Sequence, residues 1–157
     1  MDDRIIEVED STIAVIGMGG VGTGAYDKLR ETYGDTVVGI DIDPVTVRRQ
    51  RSTGRKVLLG DPSDADFWDR IQETHALRLV MLALPKLSTS LAVLEQLKSA
   101  SFTEPVASIA RFPDEIEALK QAGASTVFNV YSEAGAGFAS HVVTDSGLTL
   151  DLADEKS

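Results

Sequence analysis

Short apolar runs alternate with segments of mixed polarity along most of the chain, and each run indicates a β-strand. The predicted strands are Thr12–Ile16, Thr36–Asp41, Lys56–Leu59, Leu79–Leu84, Val106–Ala110 and Thr126–Asn129. Helix start and stop signals between them predict helices over Val21–Glu31, Pro44–Thr53, Asp64–Glu73, Ser88–Lys98 and from Pro113 to just before Gly123. Strands that alternate with helices in this way form parallel sheets joined by right-handed crossovers.

Three glycines follow the first strand at the spacing G-x-G-x-x-G: Gly17, Gly19 and Gly22. In a phosphate-binding turn, the first glycine permits the sharp turn, the second lets the phosphate reach the backbone, and the third lets helix and strand pack closely. The next helix directs its N-terminal amides and the positive end of its dipole at the anion. The spacing alone is also compatible with a tight strand-to-helix turn that binds nothing.

A carboxylate ends the second predicted strand. Asp41 lies 19 residues after Gly22, and the acid that accepts the ribose hydroxyls is expected about 20 residues after the last glycine. Its charge repels a 2′-phosphate, which favours NAD or an adenosine nucleotide over NADP. Asp43 is expected to cap the helix that begins at Pro44. The order of these features predicts the fold class: a Rossmann-like, doubly wound α/β domain with a parallel six-stranded sheet in strand order 3-2-1-4-5-6.

Two more polar residues are expected at the carboxyl ends of the strands, the edge at which open α/β sheets bind ligands. Asp61 follows the third strand, where it either hydrogen-bonds the adenine amino group or serves as a turn or capping aspartate. Arg111 ends the fifth strand. There it either faces a phosphate or a partner carboxylate, or forms a structural pair with Asp114 or Glu115.

Composition excludes several classes of function. A chain of 157 residues is long enough for one domain with a core. Its zero cysteines exclude disulfides and thiolate metal sites, and its net charge of −10 argues against binding nucleic acid. No apolar run approaches the ~18 residues of a membrane span, and Met1–Asp10 lacks the apolar core of a signal peptide. A cytoplasmic location without direct membrane insertion is therefore expected.

The segment Tyr131–Val143 is unusual because glycines and alanines are interspersed near a helix start. Small residues permit the close approach of another backbone, which belongs either to a ligand or to a second subunit. His141 and His75 are interpreted as surface or interface residues and not as catalysts. The aromatic residues of the third predicted helix, Phe67 and Trp68, are expected in the core.

Together the motifs resemble the TrkA-N domain, also called the RCK or KTN domain, which regulates potassium conductance. The resemblance rests on Gly17–Tyr26, Gly39–Asp41, Gly60–Asp61, Ile109–Arg111 and Ala122–Ala124. The chain is most similar to the cytosolic domain of Kef-type glutathione-regulated potassium efflux systems, in Asp66–Trp68, Phe128–Gly135 and Gly137–Ala139. The expected organisation is an acidic lead-in over residues 1–11, this domain over residues 12–143, and an acidic tail over residues 144–157 that frays.

The resemblance implies a noncatalytic regulatory module, usually a homodimer, that gates a potassium channel or a potassium/proton antiporter in the membrane. The implied cofactor is AMP or NAD(H), with ADP and ATP as further candidates. The residues assigned to cofactor binding are Gly17, Met18, Gly19, Gly20, Val21, Gly22, Asp41, Ile42, Asp61, Pro62, Ala83, Leu84 and Arg111. No catalytic or metal-binding residue is assigned.

The alternative function is a small NAD-dependent oxidoreductase. Such an enzyme needs a general acid or base beside the nicotinamide. The fourth predicted strand brings only Leu82, Ala83 and Leu84 to that position, and no tyrosine of the chain has a lysine four positions later. The regulatory function is therefore favoured.

Overall fold

The computed structural model describes residues 11–72 and 77–149. Its strands are β1 (Ile13–Ile16), β2 (Val37–Asp41), β3 (Val57–Leu59), β4 (Leu79–Leu82), β5 (Val106–Ala110) and β6 (Thr126–Asn129). Its helices are α1 (Gly20–Tyr33), α2 (Pro44–Ser52), α3 (Ala65–Gln72), α4 (Leu87–Ser99), α5 (Pro113–Gln121) and α6 (Val130–Ser146), and a short 3-10 turn (Gly34–Thr36) joins α1 to β2.

The strands form one parallel sheet in the order β3-β2-β1-β4-β5-β6. The predicted fold class and strand order are confirmed. The order reverses at β1, because the chain first moves outward to β3 and then returns to continue from β4 to β6 on the other side. With right-handed crossovers, this reversal puts the helices of the two halves on opposite faces of the sheet.

Because successive side chains of a strand point to opposite faces of the sheet, they form two buried clusters, one on each face. On the side of α1 and α2 the cluster consists of Ile13, Val15, Met18, Tyr26, Val37, Val47 and Val57. The larger cluster, on the side of α3, α4 and α5, includes Ile16, Phe67, Trp68, Leu94 and Leu119. Phe67 and Trp68 are thus core residues, as expected, and their rings meet edge to face with centroids 5.0 Å apart.

Strand β4 ends two residues before the end of the apolar run. Leu82 pairs with Ile16, the last residue of β1, and Gly17 then turns away with a φ of +95°. One more hydrogen bond joins the Ala83 N–H to the Ile16 carbonyl at 2.8 Å, after which β4 has no strand beside it on that side. Ala83 and Leu84 therefore belong to the loop at the carboxyl edge.

The unusual segment Tyr131–Val143 lies within the single long helix α6. The side-chain oxygen of Asn129 caps its start by accepting the Ser132 N–H at 3.1 Å, and Gly147 ends it with a φ of +68°. No residue of α6 is buried, and Phe138 is 71% exposed. The helix continues three residues into the region expected to be the tail.

His141 lies on the exposed surface of α6, with its Nε2 3.1 Å from Oδ2 of Asp145. His75, the lead-in up to Asp10 and the tail from residue 150 onward lie outside the described residues. None of the helices in the described parts of the chain is long and apolar enough to cross a bilayer.

Gly22→Ala is expected to destabilise the fold strongly, because the added Cβ would lie 1.6 Å from the carbonyl oxygen of Gly17. Overpacking of this kind lowers the free energy of unfolding by about 1–3 kcal/mol or more. Gly24→Ala is the matched control in the same helix: its Cβ would meet nothing within 4 Å, and alanine there stabilises the helix by about 0.5–1 kcal/mol. Urea unfolding compares the two variants, and equal midpoints would contradict the close approach.

Candidate functional site

The turn between β1 and α1 is closed by contacts that only glycine permits. A Cβ at Gly17 would lie 2.7 Å from the carbonyl oxygen of Ala83, and a Cβ at Gly22 would lie 1.6 Å from that of Gly17. In contrast, a Cβ at Gly19 or Gly20 would meet nothing within 4 Å. The first and third glycines thus close the turn, whereas the second leaves its backbone open, as a phosphate site requires.

Met18 was assigned to cofactor binding, but its side chain points into the core. The side chain is 1% exposed and packs against Gly39 of β2, where a Cβ would lie 2.6 Å from the Met18 sulfur. The sequence signal for this contact is the glycine inside an otherwise apolar strand, which indicates a close approach. Met18 therefore contributes its backbone to the glycine turn.

Asp41 is hydrogen-bonded to that backbone. Its Oδ2 accepts the N–H of Met18 at 2.8 Å, and its Oδ1 accepts the N–H of Asp43 at 2.9 Å. Each carboxylate oxygen has room for about two hydrogen bonds, so each keeps one acceptor position. Asp41 can therefore hold the glycine turn and accept two ribose hydroxyls at the same time. The sequence spacing did not predict the hydrogen bond to the turn, and the ribose role stays a prediction.

The other two aspartates at this edge stabilise turns. Asp43 caps α2 as predicted, since its carboxylate accepts the Val45 N–H at 3.1 Å and the Thr46 hydroxyl at 3.0 Å. Asp61 Oδ1 accepts both the N–H of Ser63 at 3.0 Å and its hydroxyl at 2.6 Å. Of the two roles left open for Asp61, the turn role is the one that these contacts support.

Three other assigned residues flank the turn and the aspartates. Ile42 and Val21 present exposed side chains and can contact a ligand. Pro62 is buried, and its carbonyl oxygen accepts the indole N–H of Trp68. The Pro62 carbonyl is therefore directed at the core and not at the carboxyl edge.

The strand order arranges the candidate groups in a row along the carboxyl edge. Asp61 follows β3, Asp41 ends β2, the glycine turn follows β1, Ala83 and Leu84 follow β4, and Arg111 follows β5. These five strands are neighbours in that order. The row spans the reversal in strand order, which is where open α/β sheets bind ligands.

Arg111 forms neither of the two structural pairs considered for its guanidinium. Glu115 Oε1 instead accepts the backbone N–H of Arg111 at 2.9 Å. The guanidinium lies over the ring of Phe112, 5.7 Å from its centroid. Within residues 11–72 and 77–149, no carboxylate lies within 4.0 Å of this guanidinium, which leaves the cation available to an anion.

A chain of polar side chains lies beneath the glycine turn. Arg55 donates from Nε and Nη2 to the two carboxylate oxygens of Asp27, both at 2.8 Å, and from Nη1 to Gln50 Oε1 at 2.8 Å. Gln50 Nε2 donates to the Met18 carbonyl at 3.1 Å and to Thr23 Oγ1 at 2.9 Å. The hydrogen bond from Arg55 lowers the pKa of Asp27 and raises the pKa of Arg55 itself. These residues belong to no sequence motif and were therefore not predicted.

An apolar groove of about 340 Å³ lies on the α1 side of the sheet, over β1, β4, β5 and β6. Its lining includes Val21, Met81, Ala107, Ile109 and Phe128. The groove exists because α4 and α5 pack on the opposite face of these strands. It was not predicted from the sequence.

The parallel sheet in this order, with a glycine turn after β1 and a carboxylate ending β2, defines a Rossmann-like domain of the nucleotide-binding class. Within that class, the chain belongs to the TrkA-N domain family, whose model matches residues 13–130. The resemblance found in the sequence motifs is confirmed.

A curated relative is a protein from Alkalimonas amylolytica described as a putative K(+) efflux antiporter KefB. The two are 28% identical over 131 residues, which are 83% of this chain and 20% of that protein. The chain thus spans about a fifth of the length of this relative.

Solved structures share the fold. The NAD(P)-binding domain of an exopolyphosphatase-related protein from Archaeoglobus fulgidus aligns with a TM-score of 0.75 at 21% identity, over 85% of this chain and 98% of that one. The Kef CTD of Shewanella denitrificans in its AMP-bound form aligns with a TM-score of 0.69 at 15% identity, over 87% and 82% of the two chains. At these identities the likeness concerns the fold.

Asp27→Asn is expected to lower the free energy of unfolding at neutral pH by about 0.5–1 kcal/mol, the range of partly exposed ion pairs. Because Arg55 lowers the pKa of Asp27 in the folded state, this contribution is present above the ordinary aspartate pKa of about 3.9. It is lost as the pH falls through the lowered value.

Denaturant unfolding of wild type and Asp27→Asn across this pH range measures the effect. Glu31→Gln, which breaks the exposed pair with Lys28 at 3.5 Å, is the control and should change stability little at any pH. A difference between wild type and Asp27→Asn that stays constant in acid would contradict the assigned ion pair.

Proposed function

We propose that this chain is a noncatalytic, nucleotide-sensing domain of a potassium transport system. The observation that carries the proposal is the 2.8 Å hydrogen bond between Asp41 and the Met18 N–H, which joins the acid proposed for the ribose to the turn proposed for the phosphate. Membership in the TrkA-N family and the similarity to a putative potassium efflux antiporter support the link to potassium transport.

In this proposal the ligand is an adenine nucleotide that lies across the carboxyl edge. The ribose hydroxyls donate to the free acceptor positions of Asp41, and the phosphate accepts from the open backbone at Gly19 and Gly20. Helix α1 has no acidic residue in its first turn, so no carboxylate there competes with the phosphate for its N-terminal amides. Arg111 supplies a cation further along the edge for a second phosphate or a partner carboxylate.

The proposed ligand is AMP or NAD(H), with ADP and ATP as further candidates. A fold neighbour is described in an AMP-bound form and another as an NAD(P)-binding domain. The charge of Asp41 disfavours a 2′-phosphate at the ribose, which makes NADP the weaker ligand. The remaining assigned contacts, from Ile42, Asp61, Ala83 and Leu84, belong to the same proposal, whereas Pro62 is left out because it is buried and its carbonyl is bound to Trp68.

The proposed assembly is a homodimer at the cytoplasmic face of the membrane, attached to or associated with a potassium antiporter or channel. Helix α6 exposes Phe138, Val142 and Val143, and the small residues of Gly135–Ala139 allow a second backbone to approach closely. The apolar groove offers a surface on which a helix from a second copy can pack. Nucleotide binding then shifts how two domains pack, by as much as its affinity differs between the two arrangements.

Titration calorimetry with AMP, ADP, ATP, NAD and NADH, together with light scattering, tests the proposal. Tight binding of AMP or NADH by a dimer supports the sensor and ranks its ligands. A folded monomer that binds none of them overturns it. Steady consumption of NADH with a carbonyl substrate would instead favour the oxidoreductase.

Asp41→Ala is expected to weaken AMP binding at least tenfold, since each hydrogen bond to a charged group contributes about 1.5–3 kcal/mol. Stability should also fall by about 1 kcal/mol, because the Met18 N–H loses its acceptor. Asp43→Ala is the control: it removes the cap of α2 at a similar cost in stability but leaves the ribose acid in place. Titration calorimetry measures the AMP affinity of both variants. An unchanged affinity in Asp41→Ala would show that Asp41 does not hold the ribose.

Phe138→Ser is expected to convert the dimer to a folded monomer, because this exposed side chain contributes to subunit contact and not to the core. Tyr33→Ser, which replaces another exposed aromatic residue at the end of α1, should leave the dimer intact. Light scattering gives the mass, and circular dichroism checks the fold. A Phe138→Ser variant that remains dimeric would exclude this part of α6 from the interface.

A further inference from the structure

Gln50 is a buried polar side chain that the nucleotide proposal leaves without a role. It lies on α2 beneath the glycine turn and is 7% exposed. Its Nε2 donates to the Met18 carbonyl and to Thr23 Oγ1, and the Thr23 hydroxyl donates to the same carbonyl at 3.1 Å. Because the N–H of Met18 is bound by Asp41 and its side chain is packed on Gly39, Gln50 completes the restraint of this residue from a third direction.

The Gln50 amide can bind here in one orientation only. A carbonyl oxygen only accepts hydrogen bonds and a guanidinium only donates them. The Gln50 nitrogen must therefore face the Met18 carbonyl, and its oxygen must face Arg55 Nη1, 2.8 Å away. Arg55 is itself fixed by its paired hydrogen bonds to Asp27 at 2.8 Å.

The Met18 carbonyl and the Gly19 N–H belong to the same planar peptide group and point in opposite directions when the bond is trans. Drawing the carbonyl toward Gln50 therefore turns the Gly19 N–H away from α2. Gly19 is exposed, and a Cβ built on it would meet nothing within 4 Å. The orientation of this one peptide group decides whether the Gly19 N–H joins the donors that the turn presents to an anion.

We propose that Gln50 is a positioning residue that presets the Met18–Gly19 peptide group for the ligand phosphate, and that Arg55 and Asp27 hold the Gln50 amide in the required orientation. This inference rests on the proposed nucleotide binding. It adds that three residues outside the glycine motif determine the affinity for phosphate.

The decisive variant is Gln50→Glu in the full chain, with AMP and adenosine as probes. The carboxylate keeps the acceptor for Arg55 but turns an acceptor toward the Met18 carbonyl, which repels it. Affinity for AMP should fall about tenfold, the effect of one lost hydrogen bond, whereas affinity for adenosine should change less than about twofold. A merely structural role would weaken both ligands equally, so the ratio of the two affinities is the measurement.

Two controls separate charge and stability from positioning. Gln121→Glu adds the same charge on the exposed surface of α5, and Leu119→Ala weakens the buried cluster on the opposite face of the sheet. Both should keep the wild-type ratio of AMP to adenosine affinity. Asp27→Asn, which loosens Arg55 and leaves Gln50 intact, should reduce the ratio in the same direction by about two- to threefold. It serves as the test if Gln50→Glu does not fold.

The outcomes distinguish this inference from the proposed function. Wild-type protein that binds AMP, with an unchanged ratio in folded Gln50→Glu or in Asp27→Asn, overturns the positioning role and leaves the sensor standing. Wild-type protein that binds no adenine nucleotide overturns the proposed function. The turn itself is then tested by hydrogen exchange: a Gly19 amide that exchanges at the same rate in wild type and the Gln50 or Asp27 variant also overturns the positioning role.

Discussion

The close approach of helix α1 to the turn after β1 is the constraint on which the site depends. The carbonyl of Gly17 occupies the space in which a side chain at Gly22 would begin, 1.6 Å from the position of its Cβ. Because no side chain separates them, the N-terminus of α1 lies directly over the end of β1. The central strand of the sheet, the start of a helix dipole and the open backbone of Gly19 therefore meet at one point, which is the arrangement that an anion requires.

Met18 connects the turn after β1 to the elements on the α2 side of the sheet. Its side chain, N–H and carbonyl are held respectively by Gly39, Asp41 and Gln50, which come from β2 and α2. The shape of the turn is thus set by the neighbouring βα unit as well as by the glycines. Asp41 supports the turn through the Met18 N–H, and it is also the residue that we propose for the ribose. In that proposal a ligand bound to the Asp41 carboxylate also acts on the turn, which couples binding to turn geometry through one side chain.

The sequence predicted the features that depend on neighbouring residues or on fixed spacing. Strand positions, helix starts and the distance from Gly22 to Asp41 are of this kind, and the strand order was predicted from the glycine turn and Asp41 within alternating strands and helices. The direction in which a side chain points, in contrast, depends on residues that are distant in the sequence. Met18 turns inward because β2 offers it a glycine, and the pair Asp27 and Arg55 meets across two elements. Arg111 has two acids nearby in the sequence, Asp114 and Glu115. At the start of α5, however, Glu115 accepts the backbone N–H of Arg111 and does not pair with its guanidinium.

Helix α6 lacks the packing that usually stabilises a helix in water. A helix in water draws most of its stability from packing an apolar face, yet α6 buries no residue and carries two internal glycines, each of which costs about 1 kcal/mol relative to alanine. Its first turn nevertheless contacts the carboxyl edge, since Tyr131 meets Phe112 edge to face at 5.8 Å and Arg111 lies over Phe112. Helix α6, which buries no residue, therefore begins beside the cation at the end of β5. In the proposed assembly, repacking of α6 changes the surroundings of Arg111, and a ligand bound at Arg111 acts on that repacking in return.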